Sequence, residues 1–196
     1  MKIYTKMGDG GQTMLATGDF VPKHSPRISA YGTVDELNSF VGVLSCSIQQ
    51  SLPSKDSAPL MSMLQRVQNQ LFDLGAELAT PDATIAAKRI HLVSNDSIES
   101  LEKEIDLWAQ SLAPLRNFVL PGGHVANANA HVCRTVCRRA ERLVVELNHT
   151  NPLRPEVIKF LNRLSDWFFQ LARYCSLVSQ SDEIQWTSPQ KPKPTA

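Results

Sequence analysis

Residues 155–179 read PEVIKFLNRLSDWFFQLARYCSLVS, and the architecture of the chain follows from this run. Proline at its head suits the first turn of a helix, where the missing N–H has no intrahelical partner in any case. Val157, Ile158, Phe160, Leu161, Leu164, Trp167, Phe168 and Leu171 then recur at spacings of three and four and cover more than half of the helical circumference. A helix that is apolar on so many sides sits at the centre of a bundle. Asn162, Asp166 and Arg173 cross it as a polar stripe, either a set of internal hydrogen bonds or part of a site.

The flanking sequence supplies the helices that cover it. Residues 27–50 carry Val34, Leu37, Phe40, Val41 and Leu44 behind Ser25 and Pro26, an amphipathic repeat opened by proline. Asp56 or Ser57 is a cap for a second helix through Leu60, Met61, Leu64, Val67, Leu71, Leu74 and Leu78, ending before Pro81. Residues 82–94 read as a loop, and Ser94 or Asp96 opens a third helix through Ile98, Leu101, Ile105 and Trp108 that stops before Pro114. An apolar connector over residues 117–123 leads to a fourth helix, 124–148. Little of the chain reads as strand. Five helices of roughly 20 to 26 residues with short links predict an all-α, up-and-down five-helix bundle over residues 23–180. It is preceded by a glycine-rich segment, 1–22, and followed by a tail, 181–196. The three prolines from Gln185 onward, without apolar periodicity, predict disorder there.

The chain has 196 residues, 42% of them hydrophobic and 20% charged, which is ordinary for one well-cored soluble domain. A formal net charge of +1 argues against a dedicated nucleic-acid binder, which presents a broad basic surface. No apolar run reaches the eighteen or so residues of a membrane span, and the N-terminus lacks the apolar core of a signal peptide, so a cytoplasmic protein is expected. Cys46, Cys133, Cys137 and Cys175 show no C-x-x-C spacing. Cys133 and Cys137 are either an i,i+4 metal pair or small buried thiols in a reducing compartment, and the second reading is preferred.

Charge is concentrated in residues 134–142, RTVCRRAER, where Arg134, Arg138, Glu141 and Arg142 fall on one helical face and Arg139 on another. Such a face is either a solvated surface laced with ion pairs or a seat for a small polyanion. The apolar and small residues on both sides predict a largely buried helix, and arginine tolerates burial best when a carboxylate or phosphate meets its planar fork. Residues 5–13, TKMGDGGQT, bear on the choice. Four of the nine glycines lie between positions 8 and 18, so successive N–H groups can turn inward around an anion, with Lys6 and Thr13 as side-chain donors. The spacing matches neither the P-loop nor the dinucleotide fingerprint, and a glycine-rich turn near a terminus is the simpler alternative.

Five motifs in this order, T-K-x-G-D-x-G-x-T over 5–13, AYGTVDELNS over 30–39, FVLPGG over 118–123, RTVCRRAER over 134–142 and NRLSD over 162–166, resemble the PduO-type ATP:cob(I)alamin adenosyltransferases, or corrinoid adenosyltransferases. The resemblance spans about residues 3–175. It implies a homotrimeric five-helix bundle with ATP and the corrinoid held in clefts between subunits. The reaction it implies is transfer of the 5′-deoxyadenosyl group from ATP to the cobalt of cob(I)alamin, releasing triphosphate, with Mg²⁺ assisting. On this resemblance Thr5, Lys6, Met7, Gly8, Thr13, Met14 and Lys23 form the N-terminal part of the nucleotide site. Arg138, Arg139, Ala140, Glu141 and Arg142 join them from the fourth helix, with Asn162 from the fifth. Glu141, one turn from Arg138, either orients that arginine or reaches Mg²⁺. Asp35 and Arg134 are similar to a pair that bridges two subunits, and Phe118 falls where the family places the apolar residue that displaces the lower ligand of cobalt. Its alternative is a phenylalanine plugging the bundle end. Met7 departs from the family, in which threonine is common. No general base is expected, since Co(I) is itself the nucleophile. A reductase and an adenosylcobalamin-dependent enzyme are the implied partners. A non-catalytic adenosylcobalamin carrier and a helical scaffold with a basic face are the alternatives in other functional classes.

Overall fold

The computed structural model of the chain describes residues 3–4, 6–81 and 91–187. Its elements are strands β1 (Gln12–Met14) and β2 (Phe20–Pro22) and helices α1 (Pro26–Ser51), α2 (Ser54–Leu78), α3 (Asn95–Ala109), α4 (Val125–Thr150) and α5 (Pro155–Val178). The expected five-helix bundle is present. α1 packs on α2 and α4, and α5 lies between α4 and α3. Two-residue and four-residue links between α1 and α2 and between α4 and α5 force each pair to run antiparallel.

Trp167, Phe160, Phe168, Leu161 and Leu164 of α5 are completely buried, as the periodicity of that helix predicts. Each is worth about 2–3 kcal/mol of transfer free energy. The indole of Trp167 keeps its polar atom satisfied by donating to Glu104 Oε2 of α3 at 2.7 Å. Arg66 of α2 grips both oxygens of the same carboxylate at 2.7 Å, which closes the bundle between α2 and α3. The polar stripe on α5 divides. Arg173 is buried and fully engaged inside the fold, Asp166 accepts from Arg163 at the surface, and Asn162 faces the arginine cleft described below.

Several boundaries differ from expectation for physical reasons. α2 starts two residues before Asp56, with Pro53 as its cap; Asp56 lies instead within the first turn, where a carboxylate meets the positive end of the helix dipole. α3 has only 15 residues, opened by a capping box in which Ser94 and Ser97 exchange side-chain and backbone bonds. β1 and β2 form a short antiparallel hairpin that was not anticipated, because three-residue strands are too short to show alternation. Gly18, at φ +93°, turns the hairpin tip. Residues 82–90 of the expected loop and 188–196 of the expected tail lie outside the described residues. Gln185 and Trp186, by contrast, are held: Val119 and Gln185 form an antiparallel bridge, and Trp186 N–H donates to Phe118 O at 2.8 Å.

Cys133, Cys137 and Cys175 are buried thiols, in line with the preferred reading, and Cys137 donates to Leu161 O at 3.2 Å. Burial pushes the Cys133 and Cys175 thiols up to about 12. Cys46 is exposed on α1. No described helix is long and apolar enough to cross a membrane.

Two polar clusters mark the two ends of the bundle. At one, Arg27 at the start of α1 donates to Leu78 O at 2.6 Å and to Asn151 Oδ1, just past α4, at 3.0 Å. At the other, buried Asn127 at the start of α4 donates to Ala172 O at 3.0 Å and Ser176 Oγ at 2.9 Å, near the end of α5. α1 and α4 therefore run antiparallel, and the 26 residues of α4 separate the two ends by about 39 Å.

Candidate active site

The sequence-predicted site residues fall into three groups. The first is the N-terminal hairpin, at the Arg27 end of the bundle. Asp9 N–H donates to Lys6 O and Gly11 N–H to Gly8 O, both at 3.2 Å, so residues 6–11 form two successive tight turns. Lys6 itself takes φ 63° and Gly11 φ 79°. Lys23 N–H closes the loop on Gly11 O at 2.9 Å, and its ammonium lies over Gly8, where an added Cβ would come within 3.1 Å of Nζ. Thr13 is half-buried, Met7 and Met14 are exposed, and Thr5 lies outside the described residues. Ala16 N–H reaches Ala79 O at 3.4 Å and ties the hairpin to the end of α2.

The second group lies midway along α4. Arg138, Glu141, Arg142, Val145 and Asn162 line an open cleft of about 380 Å³. Asn162 Nδ2 donates to Glu141 Oε1 at 3.1 Å, and Arg142 Nη1 donates to Arg138 O at 3.1 Å, which sets the fork of Arg142 against the turn that carries Arg138. Arg138 and Arg142 are exposed in the single chain, contrary to the expected burial of this helix, because the apolar residues beside them serve the opposite face. Two residues of the motif do not join the cleft. Ala140 is buried in the core, where the close packing of α4 needs a small side chain, and Arg139 is ion-paired with Glu36 of α1.

The third group is at the Asn127 end. Phe118, Val119, Arg134, His131, Phe169 and Trp186 line a cavity of about 630 Å³. Phe118 is 80% exposed, so it does not plug the bundle end. Its ring meets Trp186 edge-on, with centroids 6.3 Å apart. Arg134 donates from Nε to His131 Nδ1 at 3.2 Å, which leaves its fork free for another acceptor. His131 is almost completely buried against Phe169, and burial, with the Arg134 charge adding, pushes its imidazole down to about 4. The ring is therefore neutral and serves as an acceptor.

Arg134 and Arg138 are one turn apart on α4, so the aromatic cavity and the arginine cleft adjoin along one helix face. Asp35 lies elsewhere. With Tyr31, Asn38, Phe72 and Gly75 it lines a groove of about 300 Å³ between α1 and α2. It stands nine residues from the start of α1, as Arg134 does from that of α4, and the helices are antiparallel, so the two are roughly 10 Å apart along the bundle axis. No ion pair joins them within the described chain. Sequence reasoning missed His131, which carried no motif signal, and Trp186, which was assigned to a disordered tail; an aromatic residue in an otherwise polar tail was the available clue. Among the described residues no cluster of three metal-ligating side chains occurs.

The chain is similar to several known proteins. A corrinoid adenosyltransferase of Bacillus subtilis is 37% identical over 186 residues, covering 95% of this chain and 92% of that protein. A cobalamin adenosyltransferase of Cupriavidus metallidurans is 40% identical over 185 residues, covering 94% of each. A solved variant of the PduO-type ATP:corrinoid adenosyltransferase from Lactobacillus reuteri, complexed with cobalamin and ATP, superposes with a TM-score of 0.85 at 37% identity, covering 95% of this chain and 100% of that one. The cobalamin adenosyltransferase family matches residues 3–175, and the chain, with its arginine cleft and aromatic cavity adjoining on α4, belongs to that family.

Proposed function

We infer that this protein transfers the 5′-deoxyadenosyl group of ATP to the cobalt of cob(I)alamin, forming adenosylcobalamin and triphosphate. The observation that carries the reading is the adjacency on α4: a cationic cleft sized for a polyphosphate, one turn from an aromatic cavity with an exposed phenylalanine at its mouth. In the reaction the cobalt electron pair forms the bond to ribose C5′ while the C5′–O bond breaks and the triphosphate leaves with its pair. Negative charge grows on the leaving oxygen, and the forks of Arg138 and Arg142, preorganised on a rigid helix, stabilise it. Glu141 has one oxygen occupied by Asn162, and its other oxygen would be available to help hold a Mg²⁺ ion accompanying ATP. That ion would neutralise the phosphate charge. Phe118 presents an apolar edge to the lower face of the corrinoid and keeps water from the axial position, which eases reduction of Co(II) to Co(I).

Lys6, Lys23 and the turns of the hairpin are donors for the same triphosphate, but they sit at the far end of the bundle from the aromatic cavity. A neighbouring subunit resolves this: in a homotrimer the hairpin of one copy meets the α4 cleft of the next, and Asp35 of one meets Arg134 of the other. The protein works in the cytoplasm alongside a cobalamin reductase and an adenosylcobalamin-dependent enzyme.

The test is an anaerobic assay with chemically reduced cobalamin and MgATP, reading the cobalt–carbon product optically. Arg138→Ala is expected to lower kcat by about 10²-fold or more, the usual cost of removing one donor to a developing anion. Corrinoid binding without product in the unmodified protein would move the assignment to a carrier.

A further inference from the structure

Phe118 poses a physical problem. An aromatic side chain that is 80% exposed has almost no packing of its own to hold it, yet excluding an axial ligand demands a fixed position. Its position is set by its backbone, and that backbone is held by the residues that follow α5. The chain leaves α5 through Gln180, at φ 55°, and runs back antiparallel to residues 117–123. Leu120 N–H donates to Ile184 O at 2.7 Å, Trp186 N–H to Phe118 O at 2.8 Å, and Asn117 Nδ2 to Gln185 Oε1 at 3.0 Å. Gly123, at φ +81°, passes so close that a Cβ there would lie 2.8 Å from Asp182 O. Residues 181–186 thus form a strap over the loop that carries Phe118.

The strap has one charged anchor. Arg173, 4% exposed in α5, donates from Nε to Glu183 Oε1 at 2.9 Å and from Nη2 to Glu183 Oε2 at 3.2 Å. Nη2 also donates to Ala113 O at 2.7 Å, just upstream of the same loop. A fork-to-carboxylate pair with both oxygens engaged fixes direction as well as distance. The alternating bonds from Ile184 and Trp186 begin one residue beyond it, so the pair sets the register of the whole strap against residues 117–120.

We propose that Glu183, clamped by buried Arg173, is a positioning residue that holds Phe118 against the lower face of the corrinoid. This rests on the axial role given to Phe118 above. Glu183 touches no reacting atom; it acts through the strap backbone. Loss of the clamp loosens the Phe118 loop and readmits an axial ligand, so it harms formation of Co(I) from Co(II) and spares the alkyl transfer that follows.

The experiment compares Glu183→Gln, Phe118→Ala and the unmodified protein in two assays, one starting from Co(II) cobalamin with a one-electron reductant and one from pre-reduced cob(I)alamin. Electron paramagnetic resonance of the ATP-bound Co(II) complex supplies the fraction of four-coordinate cobalt. Glu183→Gln keeps the size of the side chain and one acceptor on a partly exposed strap, and Arg173→Lys tests the other half of the clamp. Both are expected to lose about 10-fold or more in the Co(II) assay, the usual effect of disturbing an outer-shell partner, with a matching fall in four-coordinate signal. Their rates with cob(I)alamin stay within about twofold. Equal losses in both assays, or no loss, while Phe118→Ala does separate them, would overturn the clamp. If Phe118→Ala fails to separate the assays, the axial role itself falls, and the clamp with it.

Discussion

His131 is the buried base that nothing in the sequence marked. Its Nδ1 accepts from Arg134, so the neutral ring both orients that guanidinium and avoids placing a second cation beside it. Folding holds its pKa at about 4, whereas the unfolded chain returns it to the ordinary value near 6.5. Between those values the unfolded state binds the extra proton. The stability that His131 contributes is complete above about pH 6.5 and is lost as pH falls through 4, a total on the order of 3 kcal/mol. In urea titrations across this range, His131→Gln is expected to flatten the dependence of unfolding free energy on pH. Parallel slopes in the two proteins would show that other groups set the acid limit. Individual side chains were legible unevenly. Arg138, Glu141 and Arg142 share a cleft as their spacing on α4 implied, because helical periodicity alone puts them on one side, whereas Asn162 reaches it from α5 and only the family motif pointed to it. The motif drew Arg139 and Ala140 into the expected nucleotide site as well, although periodicity aims them at α1 and the core.

Most of the helices were legible because they carry their own punctuation, proline at the heads of α1 and α5 and Ser94 before α3, while α2 was read from its apolar repeat and its start was misplaced. The hairpin and the strap were not legible. Both are short extended segments whose pairing partners lie well away in sequence or behind positive-φ turns, and neither buries enough apolar surface to leave a pattern. Gly123 shows how much depends on such places. It combines a left-handed backbone with a close approach to Asp182, so Gly123→Ala adds conformational strain and a clash with backbone that cannot rotate away. The expected cost is about 1–3 kcal/mol in unfolding free energy, measured by urea denaturation at neutral pH. A variant as stable as the parent would mean that the strap yields freely at this point.

A single copy holds every piece of the proposed site yet does not bring the pieces together, since the hairpin and the aromatic cavity occupy opposite ends of α4. Oligomerisation is therefore part of the chemistry in this reading, and charge reversal tests it. Asp35→Arg is expected to reduce the native mass from about three times 21.8 kDa towards the single chain, and pairing it with Arg134→Asp is expected to restore assembly. Native mass spectrometry reads both. An unchanged mass in Asp35→Arg would remove Asp35 from the interface. This level was the least legible from the chain itself: periodicity reports what a helix buries, and the proposed pairing of Asp35 with Arg134 of a neighbour looks like ordinary surface until the two ends of the bundle are located.

The thiols add a separate consequence. With Cys133, Cys137 and Cys175 sealed in the core and two of them pushed up to about 12, the thiolate that electrophiles attack is scarcely populated at those positions. Cys46 alone faces solvent in the single chain. The molecule thus carries its own gauge of integrity: alkylating reagents register one cysteine on the native chain, and the remaining three become reactive only as α4 and α5 come apart.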